Sequence, residues 1–259
     1  MERRTAVYLA AHCRHDGYPA VIMMKTLVIP DVHLKPWIFH RASELMQAIE
    51  VNKAVCLMDI ADDFGQQFNI DLYIQTYDAA IRFAKENPDT LWCYGNHDLC
   101  YLWNQRETGH SIMAASTVCK KLEELKRILH DERLIAYIHR IDNVIFSHGG
   151  LSDYFVRKHT SPGKYNDVDT VIRAINNLSC LEMWTNESPI WIRPQYKSGK
   201  MYKPRKLLQV VGHTPMREIT RNGNLISCDV FSTSRDGRPY GTQEFLYLDT
   251  ATWEYTGVR

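Results

Sequence analysis

Five short segments, spread from residue 31 to residue 215, each place a side chain able to bind a metal directly after an apolar run. They are Asp31-Val32-His33, Asp59-Ile60-Ala61-Asp62-Asp63, Gly95-Asn96-His97-Asp98, Ser147-His148-Gly149-Gly150 and Gly212-His213-Thr214-Pro215. Carboxylate, amide and imidazole donors together suit two adjacent divalent cations, which hydrolysis of a phosphate ester at neutral pH requires. Asp31 and His33 stand two residues apart where a strand gives way to loop, so both can turn toward one ion. Asp59 ends the next strand, and its two oxygens can bridge two ions. Asn96, His148 and His213 come from three further strand ends and complete the second ion's shell. Two cations ~3.5–4 Å apart can share a water, acidify it to hydroxide and clamp the phosphoryl oxygens. His97 would face the leaving group as general acid, with Asp62 on its other ring nitrogen fixing the tautomer. Singly, each residue has a plainer reading, because an aspartate ending a strand is most often a turn or cap. The ordered set of five is what favours metal binding.

Leu27–Ile29, Ala54–Leu57 and Leu91–Tyr94 are short apolar runs rich in strand formers, each ending where a candidate ligand begins. Between the first two, Ile38, Ala42, Leu45, Met46 and Ile49 recur at helical spacing; Tyr73, Tyr77, Ala80, Ile81 and Ala84 do so before Asn87-Pro88-Asp89. Strand–helix alternation predicts parallel strands with crossover helices and a working crevice beyond their carboxyl ends. Residues 99–130 read as a predominantly helical insert, with Val118, Leu122, Leu125 and Leu129 as one apolar stripe. Leu134–Ile138 and Asn143–Phe146 read as strands joined by a tight turn, and Leu207–Val211, Leu225–Cys228 and Phe245–Leu248 as later strands. Arg221-Asn222-Gly223-Asn224 and Arg235-Asp236-Gly237-Arg238 are hairpin-type turns. A second, largely antiparallel sheet facing the first is expected, with residues 24–259 as a single domain. Residues 1–23 are expected to be a loosely attached N-terminal extension, with Met24 as the natural start.

Thirty-one basic and 30 acidic residues give a formal charge of +1, which does not favour a polyanion-coating surface or nucleic acid as partner. Seven scattered cysteines with no C-x-x-C pair and no export signal point to a reducing cytoplasm. No apolar stretch reaches the ~18 residues of a membrane span. Nothing in the sequence specifies an oligomeric state.

The series D-x-H, D-x-x-D, G-N-H-D, S-H-G-G and G-H-T resembles the calcineurin-like metallophosphoesterases over roughly residues 25–250. The single histidine in Gly212-His213-Thr214 is similar to the phosphoprotein-phosphatase branch, which includes serine/threonine phosphatases and bacterial diadenosine tetraphosphatases. Pro189-Ile190-Trp191-Ile192-Arg193-Pro194 resembles that branch's W-x-R segment. The resemblance implies an α/β fold, an αββα sandwich of two mixed β-sheets flanked by helices. It implies Asp31, His33 and Asp59 on one metal and Asp59, Asn96, His148 and His213 on the other. His97, held by Asp62, would be the acid, with Arg193 and Asn96 on the substrate phosphate. The cofactors implied are two divalent ions, manganese first, with iron and zinc also suited.

Two branch features are missing. The usual G-D-x-x-D-R-G reads Met58-Asp59-Ile60-Ala61-Asp62-Asp63-Phe64 here, and Tyr94 stands where an arginine usually precedes G-N-H. Each arginine would grip a phosphate with bidentate, charge-assisted hydrogen bonds, and Asp63 is expected to repel a dianionic monoester. The expected activity is therefore direct attack of a metal-bridging hydroxide on a phosphate ester, phosphatase-like. The alternatives are a nucleotide pyrophosphatase or phosphodiesterase, such as a dinucleoside polyphosphate hydrolase, and a catalytically silent metal-binding scaffold. Arg157, Lys197 and Lys203 are candidate replacements for the lost charge; Tyr94 and Trp191 are candidate pocket residues. Asp98 reads as a structural residue or cap, and Asp229 as a supporting group.

Overall fold

Lys25–Ile29 (β1) is buried from Thr26 to Ile29, and its side chains alternate between two apolar layers. Leu27 and Ile29 face helices, whereas Val28 faces a second sheet. The computed structural model describes residues 24–196 and 199–259. The expected extension, residues 1–23, and Lys197 lie outside the described residues.

β1 pairs in parallel with Lys53–Cys56 (β2), which pairs in parallel with Leu91–Cys93 (β3), and β3 with Ile135–Ala136 (β4). The connections are helices, Trp37–Ala48 (α1) and Ile70–Glu86 (α2). In α1 the buried residues Ile38, Phe39, Ala42 and Leu45 form one stripe. In α2 Tyr73, Thr76, Tyr77, Ala80, Ile81 and Ala84 do the same, and the Asn69 side chain caps the first turn by accepting the Leu72 N–H at 3.3 Å. Phe245–Asp249 (β10) adds antiparallel to β1, and Tyr255–Val258 (β11) antiparallel to β10, giving the order β11-β10-β1-β2-β3-β4.

The second sheet joins Ile138–Ile141 (β5), Val144–Ser147 (β6), Leu208–Val211 (β7), Leu225–Ser227 (β9) and Thr220–Asn222 (β8), in the order β5-β6-β7-β9-β8. It is mixed rather than largely antiparallel, because β6–β7 and β7–β9 run parallel. Val28, Val55 and Leu246 of one sheet meet Val144, Phe146, Val210 and Ile226 of the other in a shared apolar layer. With α1 and α2 outside the first sheet and Val168–Asn176 (α6) against β5, the layers run α, β, β, α.

Two local expectations are corrected. Leu134–Ile138 does not form one strand: the chain leaves β4 of the first sheet and enters β5 of the second, with Tyr137 between them. The Arg235–Arg238 turn does not join two neighbouring strands, since β9 and β10 belong to different sheets. The 99–130 stretch holds Asn96–Leu102 (α3) and Ala115–Ile128 (α4), separated by a non-helical segment. Val118, Leu122 and Leu125 of α4 are buried, and α4 packs on α2 with Lys121 bonded to Asp78 at 2.6 Å. Among the described residues, no helix is long and apolar enough to cross a membrane.

Candidate metal centre

Every candidate metal-binding segment follows the carboxyl end of a strand. Asp31 and His33 follow β1, Asp59 follows β2, Asn96 and His97 follow β3, His148 follows β6 and His213 follows β7. All five turns open at one edge of the sandwich, so residues remote in sequence converge. His33, Leu34, Met58, Asp59, Asp62 and His213 adopt left-handed backbone angles, φ +41° to +63°. Each such angle costs a non-glycine residue ~1–2 kcal/mol, and the strain is concentrated at these turns.

The convergence is tight. His148 Nε2 lies 3.0 Å from Asn96 Oδ1, 3.1 Å from His213 Nδ1 and 3.1 Å from Asp59 Oδ2. The ring tautomers follow from the opposite nitrogens, since a backbone carbonyl only accepts. His148 Nδ1–H donates to Leu57 O at 3.0 Å, and His213 Nε2–H donates to Trp191 O at 3.0 Å. In the neutral rings the nitrogens turned inward carry lone pairs, and they face an amide oxygen and a carboxylate oxygen. A proton on His148 Nε2 reaches one of these acceptors well; a cation satisfies all four at once, so the donor set fits a metal. The donor atoms of Asp59, His148 and His213 lie within 4.8 Å of one another, and so do those of Asp31, His33 and Asp59. His33 follows the same rule, with Nδ1–H on Asp62 O at 2.9 Å. Asp31 Oδ1 is buried with no hydrogen-bond partner, a second sign of a group shaped for a cation.

Two glycines make the approach possible. A Cβ on Gly212 would stand 1.8 Å from Asp31 Oδ1, and one on Gly95 would stand 1.9 Å from Asp59 Oδ1. Both carboxylates thus lie directly on backbone, where Asp31 Oδ2 accepts the His213 N–H at 2.8 Å and Asp59 Oδ1 accepts the His97 N–H at 2.9 Å.

The profile of calcineurin-like phosphoesterases matches residues 24–242. This chain belongs to the calcineurin-like phosphoesterase family. It is a phosphoester hydrolase of a family that uses divalent metals. No curated protein sequence matches it. A solved structure described as a cold-active protein-tyrosine phosphatase of a psychrophilic Shewanella species superposes with a TM-score of 0.54 at 17% identity, covering 92% of this chain and 81% of that one. A second structure described as a cold-active protein tyrosine phosphatase gives a TM-score of 0.53 at 16% identity, covering 92% and 79%. At such identities the likeness bears on the fold alone.

Beside its convergent donors this phosphoesterase has a cavity of about 210 Å³, lined by His33, Asp59, His97, Arg193 and His213 among others. His97 Nδ1 meets Asp62 Oδ2 at 3.0 Å. Arg193 Nη1 donates to His213 O at 2.5 Å, which holds the guanidinium at the cavity wall. Tyr94 and Trp191 are not among the lining residues, contrary to expectation. Tyr94 turns to the other side of its strand against Tyr137, and Trp191 stacks edge-on between Trp184 and His213. Arg157 and Lys203 sit against Tyr165, away from the cavity.

Electrostatics divide the site. Burial opposes charge on His148, yet Asp59 and Asp31 lift it to about 9; burial likewise opposes charge on His97, yet Asp59 and Asp62 lift it to about 9. Burial, with His148 beside it, pushes His213 well below its usual value, and burial also lowers His33. Burial and Asp229 push Asp31 well above the carboxylate range. Burial acts the same way on Asp59 but is overcome by His148 and His97, and its carboxyl stays low.

Asp63 has neighbours that its own segment does not announce. Lys35 Nζ donates to Asp63 Oδ2 at 2.9 Å, and Thr233 Oγ1 donates to the same oxygen at 2.9 Å. The expected repulsion of a phosphate is therefore largely answered inside the protein. A lysine two residues after D-x-H was the available signal; Thr233, 170 residues from Asp63, gave none. Asp98 caps Ile60 N–H at 3.0 Å, and Asp229 accepts from Ser232 Oγ at 2.8 Å, both in supporting positions.

Proposed function

We propose that this phosphoesterase is a dinuclear metal-dependent phosphatase in which Asp31, His33 and Asp59 hold one divalent cation and Asp59, Asn96, His148 and His213 hold the other. The observation that carries this reading is the set of lone-pair atoms around His148 Nε2, with two ring tautomers fixed by backbone carbonyls. When bound, the two cations supply Lewis-acid activation of water and neutralise charge developing on the phosphoryl oxygens. Manganese is the ion proposed first, because oxygen donors from carboxylates and an amide accompany the imidazoles; iron and zinc suit the same set.

The chain's own residues do the rest. Arg193 binds phosphoryl oxygens at the cavity wall, with the Asn96 amide facing the same phosphate. Asp62 holds the Nδ1–H of His97, which leaves Nε2 to give its proton to the departing oxygen. The branch proposed is the phosphoprotein-phosphatase one, with serine/threonine phosphatase-like chemistry on a phosphorylated substrate. A cytoplasmic setting is supported by six unpaired cysteines among the described residues.

A second reading, a nucleotide pyrophosphatase or phosphodiesterase, is favoured by one feature. Asp63 occupies the position of a phosphate-gripping arginine, and Lys35 is spent on it. That leaves Arg193 as the guanidinium on the cavity wall, a modest complement for a dianionic monoester. Rates of the manganese-loaded protein on p-nitrophenyl phosphate, its bis-ester and dinucleoside polyphosphates separate the two. Phosphate release from none of them contradicts both.

A further inference from the structure

The Asp62 carboxylate is the hub of a buried network outside the two donor groups that share Asp59. Its Oδ2 meets His97 Nδ1, while its Oδ1 accepts two phenols, Tyr73 Oη at 2.8 Å and Tyr101 Oη at 2.5 Å. Tyr73 comes from α2 and Tyr101 from α3, and all three groups are nearly inaccessible to solvent. The direction of the Tyr101 bond is fixed, because its oxygen already accepts the Ser111 N–H at 2.9 Å and its O–H is left for the carboxylate. Burial and the neighbouring Asp62 keep both phenols protonated, so both act as donors. The only ion-pair partner of Asp62 among the described residues is His97.

We propose that Tyr73 and Tyr101 are positioning residues for proton delivery to the leaving group: by occupying Oδ1 they leave Oδ2 as the one oxygen for His97 Nδ1–H, which aims Nε2 into the cavity. The inference rests on the proposed role of His97 as the acid. Two neutral donors do a job that a lysine or arginine would do differently. They saturate one oxygen without adding a net charge, so the pull of the carboxylate on the His97 proton is tempered rather than cancelled. No bond forms or breaks at either phenol; the proton moves only from His97 Nε2 to the departing oxygen.

The comparison needed is between a poor leaving group and a good one. Phenyl phosphate requires a proton on its leaving oxygen, whereas p-nitrophenyl phosphate departs largely without one. Tyr73→Phe and Tyr101→Phe are each expected to lower kcat on phenyl phosphate by ~10-fold, with KM and metal content unchanged and p-nitrophenyl phosphate affected by less than ~3-fold. Tyr77→Phe is the control. It removes a phenol from the same helix that bonds Asp98 at 3.0 Å, and it is expected to lower the melting temperature without altering the ratio of the two rates. A uniform loss on both substrates, matching the control, overturns the proposal.

His97→Asn on the same substrate pair keeps the two readings apart. If that variant loses no more on phenyl phosphate, the acid role fails and the inference goes with it. If it does lose more while both tyrosine variants match the control, the inference alone fails. Nitrogen-15 NMR of the metal-free wild-type protein gives a readout that needs no variant to fold. Above about pH 9, where the ring is neutral, the Nδ1–H form of His97 is expected, and an Nε2–H form overturns the proposal.

Discussion

His33, His148 and His213 each give a ring N–H to a backbone carbonyl, whereas His97 presents its ring to the carboxylate of Asp62. A carbonyl fixes the tautomer and leaves the opposite nitrogen as a lone pair; a carboxylate also draws a proton onto the ring. His148 shares both features, because its Nε2 faces Asp59 Oδ2 at 3.1 Å and it is lifted to about 9 as His97 is, but it is fully buried whereas His97 lines the cavity. The remaining difference lies in what each ring is tied to, since all four follow strand ends of the same kind. Residue type alone therefore does not assign a histidine's task at such a site.

The most damaging challenge to the metal side is Asp59→Asn, because Asp59 belongs to both candidate donor groups. Activity is expected to fall by at least ~10³-fold, the several kcal/mol that metal ions contribute, with both metals lost on dialysis. Elemental analysis checks this, and full retention of two metals contradicts the bridging role.

The acid side is tested by His97→Asn, which should keep its metals and lose ~10²–10⁴-fold in kcat. Equal losses of metal and activity would erase the distinction between the two kinds of histidine.

A pH experiment sharpens the contrast. With His148 lifted to about 9, a proton competes with the cation below that value. Metal affinity should therefore rise with pH up to about 9, by ~10-fold per unit for each proton displaced. Calorimetry in buffers of different ionisation enthalpy measures the release. An affinity flat from neutral pH upward contradicts it.

The smallest effect is expected at the rim. Lys35→Met unmasks Asp63 and should raise KM for a dianionic monoester by ~3–10-fold, with less change for a monoanionic diester. Equal KM changes on the two esters contradict the idea that Lys35 neutralises Asp63 toward substrate.

What could be read beforehand follows from how each feature is encoded. The candidate ligand segments stand out because each follows an apolar strand, so local pattern and donor chemistry coincide at Asp31, Asp59, Asn96, His148 and His213. The helices were legible through the stripes of α1, α2 and α4. The split at Tyr137 was not, because it depends on β4 pairing with distant Trp92 and Cys93 while β5 pairs with the adjacent Val144–Ser147. Tyr94 follows the alternation of its strand, sharing the helix-facing layer with Trp92 while Cys93 faces the second sheet, and its partner Tyr137 is not marked in the local pattern. Tyr73 falls in a core stripe, where its ring packs; nothing local shows that its hydroxyl ends on Asp62.

Anomalous diffraction from crystals soaked in manganese tests the pair of cations most directly. Two peaks ~3.5–4 Å apart are expected, one within bonding distance of Asp31, His33 and Asp59, the other of Asp59, Asn96, His148 and His213. A single peak, or peaks remote from Asp59, would contradict a two-cation site.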